Sequence, residues 1–330
     1  MAKYNLGEVY QSAYKSNCST ETALLKVKSD VLNAVDRQEV VFMVLLDLSA
    51  AFDTVDHGLL LDRLKNDIGV SGTVVKWFDS YLSSRCSSIA GAAETALAKL
   101  EQCIAEIKEW MNQNKLKLNN DKTEFFIAGS YQSLQKLPKV QLKVADIHIE
   151  PSCNIRNLGI IFDSNMTMCK QVNSLVSSGN YQLRNIRRIC RYLDQDTRHL
   201  VVRALFLSRL DYGNALLYGA NSQDLVRLQS LQNRAAKLIF YASRLDSPSP
   251  LLKKLHWLPV TKRIQFKICL HVYKCLNDCG PEYLANLLAH INRPSTAPVT
   301  RSATDKTLLA VPFSKKCIGE QAFSVAGPSL

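Results

Sequence analysis

The chain falls into three stretches that differ in how apolar positions are spaced. In the first, to about residue 90, Thr20 and Glu21 open a segment where Leu24, Leu25, Val27, Val31 and Leu32 recur at helical spacing. Gln38 and Glu39 interrupt it. Residues 40–46 follow as an unbroken β-branched and aliphatic run, the pattern of a strand buried on both faces. Asp56 can cap a helix holding Leu60, Leu61, Leu64 and Ile68, and 73–82 reads as a further helix. In the second stretch, Leu97, Leu100, Ile104, Ile107 and Met111 alternate by three and four, with Lys and Glu between them. Residues 115–118 then alternate in the strand sense, Asn119-Asn120-Asp121 is a turn, and 123–128 and 158–162 are predicted strands. From about residue 166 the pattern is almost all helical. Arg184, Arg187, Arg188 and Arg191 share one surface at i, i+3, i+4 and i+7. Further on, Leu225, Leu228, Leu231, Ala235 and Leu238 form an apolar stripe, with Arg227, Ser230, Arg234 and Lys237 on another face. Past Asn292 the chain is rich in Pro, Ser and Thr and is expected to loop or extend.

Composition narrows the class. The 330 residues are 47% apolar and 21% charged, which suits a globular chain with a sizeable core. The longest apolar run, 40–46, is far short of the roughly 20 residues of a membrane helix. The opening MAKYNLGEVYQ lacks the apolar centre of a secretory signal. A cytosolic or nuclear protein with no membrane association is expected. The net charge of +12 sits in the second half, where residues 181–330 hold 22 Lys+Arg against 9 Asp+Glu. That asymmetry fits a polyanion partner such as nucleic acid, and equally a basic domain without one. The ten cysteines are scattered, and reduced thiols are expected. Cys269, His271, Cys275 and Cys279 do not have the spacing of a zinc site and read as small buried thiols in a helix.

Asp47 directly follows the buried strand, and an unpaired buried carboxylate is costly. A helix cap, an ion pair or a metal ligand would each account for it. The surrounding string, VFMVLLDLSAAFDTVDHGLLLDRL, resembles the palm metal motif of reverse transcriptases, in the form used by jockey-like non-LTR retrotransposons. QSAYKSNCSTETALLKVKSD upstream resembles the fingers of that family, and KEWMNQNKLKLNNDKTEFF and NLGIIFDSNM its later palm motifs. RRICRYLDQDT, SRLDYGNALLYG, LQNRAAKLIF, LHWLPVTKRIQFK, PEYL and QAFSVAGPSL resemble the region after the palm. The set covers nearly every segment, in family order.

The resemblance implies an α+β fold, with an incomplete reverse-transcriptase palm and fingers followed by a mostly helical basic thumb-like region. Residues 1–90 would be fingers and first palm, 91–165 the remaining palm, and 166–330 the thumb-like part. It implies Mg²⁺ as cofactor, with an RNA template and a DNA primer as partners. Nucleotide addition by two metal ions uses carboxylates to hold Mg²⁺. Asp47 matches the first metal ligand, and the backbone at Leu48 would face the second ion. Phe52 matches the aromatic gate under the sugar, or is plain core packing. Lys15 matches a fingers residue gripping the triphosphate, or is a solvated lysine. Lys122 matches the palm lysine near the departing pyrophosphate, or is a turn residue. Phosphate contacts are assigned to Arg184, Arg187, Arg188, Arg191, Arg227, Arg234 and Lys237, the alternative being a solvated face.

One part of the family pattern is missing. The chain holds no Asp-Asp, Asp-Glu, Glu-Glu or Gln-Gly dipeptide. The second catalytic carboxylates and the template motif would lie where only CSSIAGAAETA, residues 86–96, remains. One carboxylate cannot hold two Mg²⁺ ions, so the chain is expected to be a fragment inactive as a polymerase. A non-enzymatic RNA- or DNA-binding protein derived from such an element is the second expectation, and a poorly folded chain, cut by proteases across 83–100, the third. The strand at 40–46 is expected to lose its neighbour and leave backbone groups unpaired.

Overall fold

The computed structural model describes residues 10–47, 86–90, 93–113, 119, 122–144, 147–288 and 309–330. Helices combine with small sheets, the mixed α+β class expected. The helices expected at 56–68 and 73–82 and the strand at 115–118 lie outside the described residues. The chain divides into two compact units: a sheet unit of residues 38–155, and a helical unit joining the residues up to 37 to those from 156 onward.

Helix α1 (Thr20–Asp36) belongs to the helical unit. Its start is a reciprocal cap. Ser19 Oγ accepts from the Thr22 N–H at 3.1 Å, and Thr22 Oγ1 accepts from the Ser19 N–H at 2.8 Å.

In the sheet unit, β1 (Val41–Leu45) is the central strand, between β2 (Cys86–Ala90) and β3 (Glu124–Ala128), with both pairings antiparallel. The expected loss of a neighbour is therefore corrected. The short remaining interval itself supplies β2, and both edges of β1 are hydrogen-bonded. The period-two alternation sends Phe42, Val44, Phe125 and Ile127 to one face, where the Phe42 and Phe125 rings stack at 5.9 Å. Helix α2 (Ala93–Gln113) covers that face with Leu100, Ile104 and Met111, the residues its three-and-four spacing selected. A short helix α3 (Tyr131–Gln135), capped by Ser130, and the hairpin of β4 (Leu142–Val144) and β5 (Ile147–Ile149) complete the unit. Leu142 and Val144 join the same core.

The chain returns to the helical unit along β6 (Asn154–Asn157) and β7 (Ile160–Asp163), joined by Leu158 and Gly159, both at positive φ as a tight hairpin turn demands. Helix α4 (Cys169–Ile189) follows, then a 3-10 turn (Cys190–Tyr192) and α5 (Gln195–Val202), capped by Asp194. A π-helical turn (Arg203–Leu207) continues α5 into α6 (Ser208–Asp211), and a 3-10 turn covers Asn214–Leu217. The remaining helices are α7 (Ser222–Ile239), α8 (Pro248–Lys254), α9 (Val260–Leu276), α10 (Glu282–Ala285) and α11 (Phe323–Ser329). The end expected to loop or extend instead buries Ala322–Ala326 and forms α11; the preceding 289–308 lie outside the described residues. Among the described residues no helix is long and apolar enough to cross a membrane.

Parallel packing of α4 and α7 organises the helical unit. Cys169 Sγ donates to Asp224 Oδ2 at 3.2 Å near both helix starts, and Cys190 Sγ donates to Leu238 O at 3.5 Å near both ends. Between them the helices touch at Gly179, where an added Cβ would come within 3.1 Å of Phe206 and 3.2 Å of Leu231.

Helix α1 carries three ionic side chains turned inward, Lys28 and Asp36 buried and Glu21 largely so. Glu21 accepts from Lys267 Nζ at 2.8 Å and from the Ala215 N–H at 3.1 Å, with His271 Nε2 at 3.4 Å. Burial alone would raise its carboxyl, but His271, Lys267 and the Ala215 N–H bring it down to about 2. Lys28 donates to Leu216 O at 2.6 Å and Tyr218 O at 3.0 Å, and burial lowers its ammonium to about 7 against a partial upward pull from Asp163. Asp36 accepts from the N–H groups of Lys315 at 2.9 Å and Lys316 at 2.7 Å.

The Lys28 shift fixes a sign. Between about pH 7 and the ordinary 10.5 the unfolded chain holds a proton that the folded chain has released, so stability rises with pH there. The buried Cys275 thiol, pushed from 9.0 up to about 11, acts oppositely above pH 9. From pH 7 to 9, chemical denaturation will show a rise of about 2 kcal/mol. Lys28→Met will abolish that rise; an unchanged slope in the variant contradicts the assignment.

Candidate functional site

Two candidate sites emerge, one in each unit. In the sheet unit, antiparallel pairing sets Leu45 opposite Glu124, so the end of β1 meets the start of β3. The intervening turn folds onto that end. The Asn119 N–H donates to Asp47 O at 2.8 Å, and Thr123 Oγ1 donates to Asn119 O at 2.9 Å. Lys122 Nζ then lies 3.3 Å from Asp47 Oδ2, with the lysine side chain 68% exposed and the aspartate 38%. Two residues matched to separate palm motifs thus form one ion pair. Of the three accounts of Asp47, the structure displays the ion pair.

Among the described residues, the donor set at this end does not fit two magnesium ions. Asp47 presents one carboxylate, already facing an ammonium group, and no cluster of three His, Cys, Asp or Glu suited to a metal occurs among the described residues. Leu48 and Phe52 lie outside the described residues, as do Asp53 and Asp56. Lys15 precedes α1 in the helical unit, half-buried, where its carbonyl accepts from the Cys18 N–H at 3.4 Å.

The second site is the shared C-terminal end of α4 and α7. Two parallel helices place two negative dipole ends together, and cations there are favourable. Arg187 and Arg188 occupy the last turn of α4, and Lys237 that of α7. Arg184, Arg187, Arg188 and Arg191 are all exposed. The Arg191 guanidinium lies 4.6 Å from the centre of the Tyr192 ring, and Arg198 lies 4.1 Å from that of Tyr241. Partial burial pushes the Tyr241 hydroxyl up, as does the Cys190 thiol, while Arg198 and Arg191 pull it down; the net direction is upward. Lys237 Nζ donates to Arg244 O at 2.7 Å, and Lys254 faces the Phe240 ring at 6.0 Å. The local carboxylates serve the backbone instead: Asp194 accepts from the Thr197 N–H, and Asp246 from the Ser243 N–H.

The assigned cations thus separate. Arg187, Arg188, Arg191 and Lys237 converge on the common end. Arg184 lies one turn back, and Arg234 beside it bonds the side-chain carbonyl of Asn180. Arg227 stands near the start of α7, about 15 Å of helix from Lys237, and is paired with Asp224 at 2.8 Å. That i, i+3 pair was readable in the sequence. Arg198, Tyr192, Tyr241, Arg244 and Lys254 escaped sequence reasoning; only the Arg191-Tyr192 dipeptide offered a local signal. The cysteine reading is corrected in part: Cys275 is buried, but Cys269, on the outer side of α9, and Cys279, past the end of α9, are exposed, and His271 points to Glu21.

No family model matches the chain, and no curated protein matches it.

Because the Asp47–Lys122 pair is solvated, Lys122→Ala will change stability by less than about 1 kcal/mol in thermal denaturation. A loss of several kcal/mol would contradict this description of the pair.

Proposed function

We propose that the chain derives from a reverse transcriptase of a jockey-like non-LTR retrotransposon, has no polymerase activity, and binds single-stranded RNA or DNA through the basic end of its helical unit. The ordered motif set supports the family. The antiparallel β2-β1-β3 sheet under α2, with Asp47 and Lys122 at one end, is compatible with a palm remnant. The absent carboxylate dipeptide and the single paired carboxylate argue against two-metal chemistry.

The observation that carries the binding reading is the convergence of Arg187, Arg188, Arg191 and Lys237 with Tyr192 and Tyr241 on one helix-bundle end, the buried Arg198 lying against the Tyr241 ring. Phosphates are held by such cations, and unstacked bases by exposed aromatic faces. Tyr192 is 74% exposed and Tyr241 58%, so both rings are open to a strand.

With a labelled single-stranded RNA, the affinity of the full chain will fall linearly in a log–log plot against salt. Arg188→Gln with Arg191→Gln will reduce the slope by about 1.4, at roughly 0.7 per phosphate contact. A flat salt dependence overturns the binding reading. Mg²⁺-dependent primer extension that Asp47→Ala abolishes overturns the claim of inactivity.

A further inference from the structure

A second feature of the helical unit begins beside Arg198, at His199 on α5. A cleft of about 300 Å³ opens between the α5–α6 helix and the segment joining α8 to α9. Its walls include His199, Arg203, Asp211, His256, Trp257 and Arg263. This volume lies at the small end of the range for ligand sites.

The hydrogen-bonding account of these walls is uneven. Asp211 is fully engaged: Arg263 reaches it with Nε at 3.2 Å and Nη2 at 2.8 Å, and Asn214 Nδ2 at 3.1 Å. That pair therefore contributes no net charge. The side chains of Arg203, His199 and His256, in contrast, have no hydrogen-bond or ion-pair partner among the described residues. The unbalanced charge on the cleft is thus one guanidinium, with two ring nitrogen donors nearby. A free guanidinium flanked by donors suits a phosphate.

The aromatic wall supplies a second requirement. The His199 and Trp257 rings lie 6.0 Å apart, tilted by 50°. They are too close and too inclined for a third ring to slide between them, so a base can lie only on the open face of Trp257. Trp257 is half-buried and lines the cleft, which holds the indole in place beside the open volume. The backbone is specialised on both sides of the cleft. Arg203 opens the π-helical turn, a feature often found at functional sites, and His256 is held at φ 52°.

We propose that this cleft is a nucleotide subsite, holding one nucleotide of a single strand with its base on Trp257 and its phosphate on Arg203. A second hollow of about 370 Å³, lined by Leu200, Ala204, Leu207 and Ser208, also borders Arg203 and leaves room for the strand to continue. The inference rests on the reading of the helical unit as a nucleic-acid-binding body. It is tested with a mononucleotide, whose single phosphate does not report the salt slope of a long strand, so the two can fail separately.

The experiment is titration of the full chain with AMP, followed by tryptophan fluorescence. Saturable quenching is expected, with inorganic phosphate competing without quenching. Trp257→Phe will remove the quenching. Arg203→Gln, at an exposed residue without a side-chain partner, will weaken apparent affinity about tenfold or more. The proposal is overturned by absence of saturable quenching, by quenching that survives Trp257→Phe, by equal affinity in Arg203→Gln, or by adenosine binding as tightly as AMP.

Discussion

The helical unit depends on the buried ionic residues of α1. Burial of a charge is tolerated only where it finds partners, and Glu21, Lys28 and Asp36 find theirs on segments remote in the chain. Glu21 holds the N–H of Ala215, while Lys28 holds the carbonyls of Leu216 and Tyr218, so the short turn after α6 is gripped by both kinds of backbone group. Asp36 holds Lys315 and Lys316 and anchors the segment leading to α11. An apolar helix face accepts several registers. Three charged groups with specific backbone partners accept one. The position of the turn then sets Asp211, which bonds Arg263 and thereby one wall of the cleft.

Local periodicity made much of the fold legible. The β-branched run became β1, the three-and-four spacing of Leu100, Ile104 and Met111 became α2, and the stripe through Leu228, Leu231 and Ala235 became the buried face of α7. What was not legible depends on partners distant in sequence. Cys86–Ala90 has no strong strand pattern and becomes β2 through pairing with β1. Lys28 belongs to the polar set of any helical wheel, yet two carbonyls from residues 216 and 218 bury it. The α11 segment carries Gly327 and Pro328, poor helix formers, and is ordered by tertiary packing of Phe323 and Val325.

The candidate sites divide the same way. The arginine cluster 184–191 was visible because its members are close in sequence, on α4 and the 3-10 turn that continues it. That Arg198 lies against the Tyr241 ring was not, because the two come from separate elements. The pairing of Asp47 with Lys122 follows from the antiparallel register of β1 and β3, which no single motif contains. It also changes the chemistry attached to Asp47: a carboxylate facing an ammonium group on an exposed sheet end is a solvated ion pair. The basic helix end has the opposite balance, with Asp194 and Asp246 accepting from backbone N–H groups and the Arg191 and Arg198 guanidiniums lying against tyrosine rings.

The central claim is that nucleic acid contacts the basic helix end and leaves the Asp47 end of the sheet alone. Amide hydrogen exchange on the full chain, with and without saturating single-stranded RNA, tests it most directly. The account predicts slowed exchange at residues 184–203 and 234–257, with no change at 41–47 and 122–128. Protection confined to 41–47 and 122–128, or absent from 184–203, would contradict it.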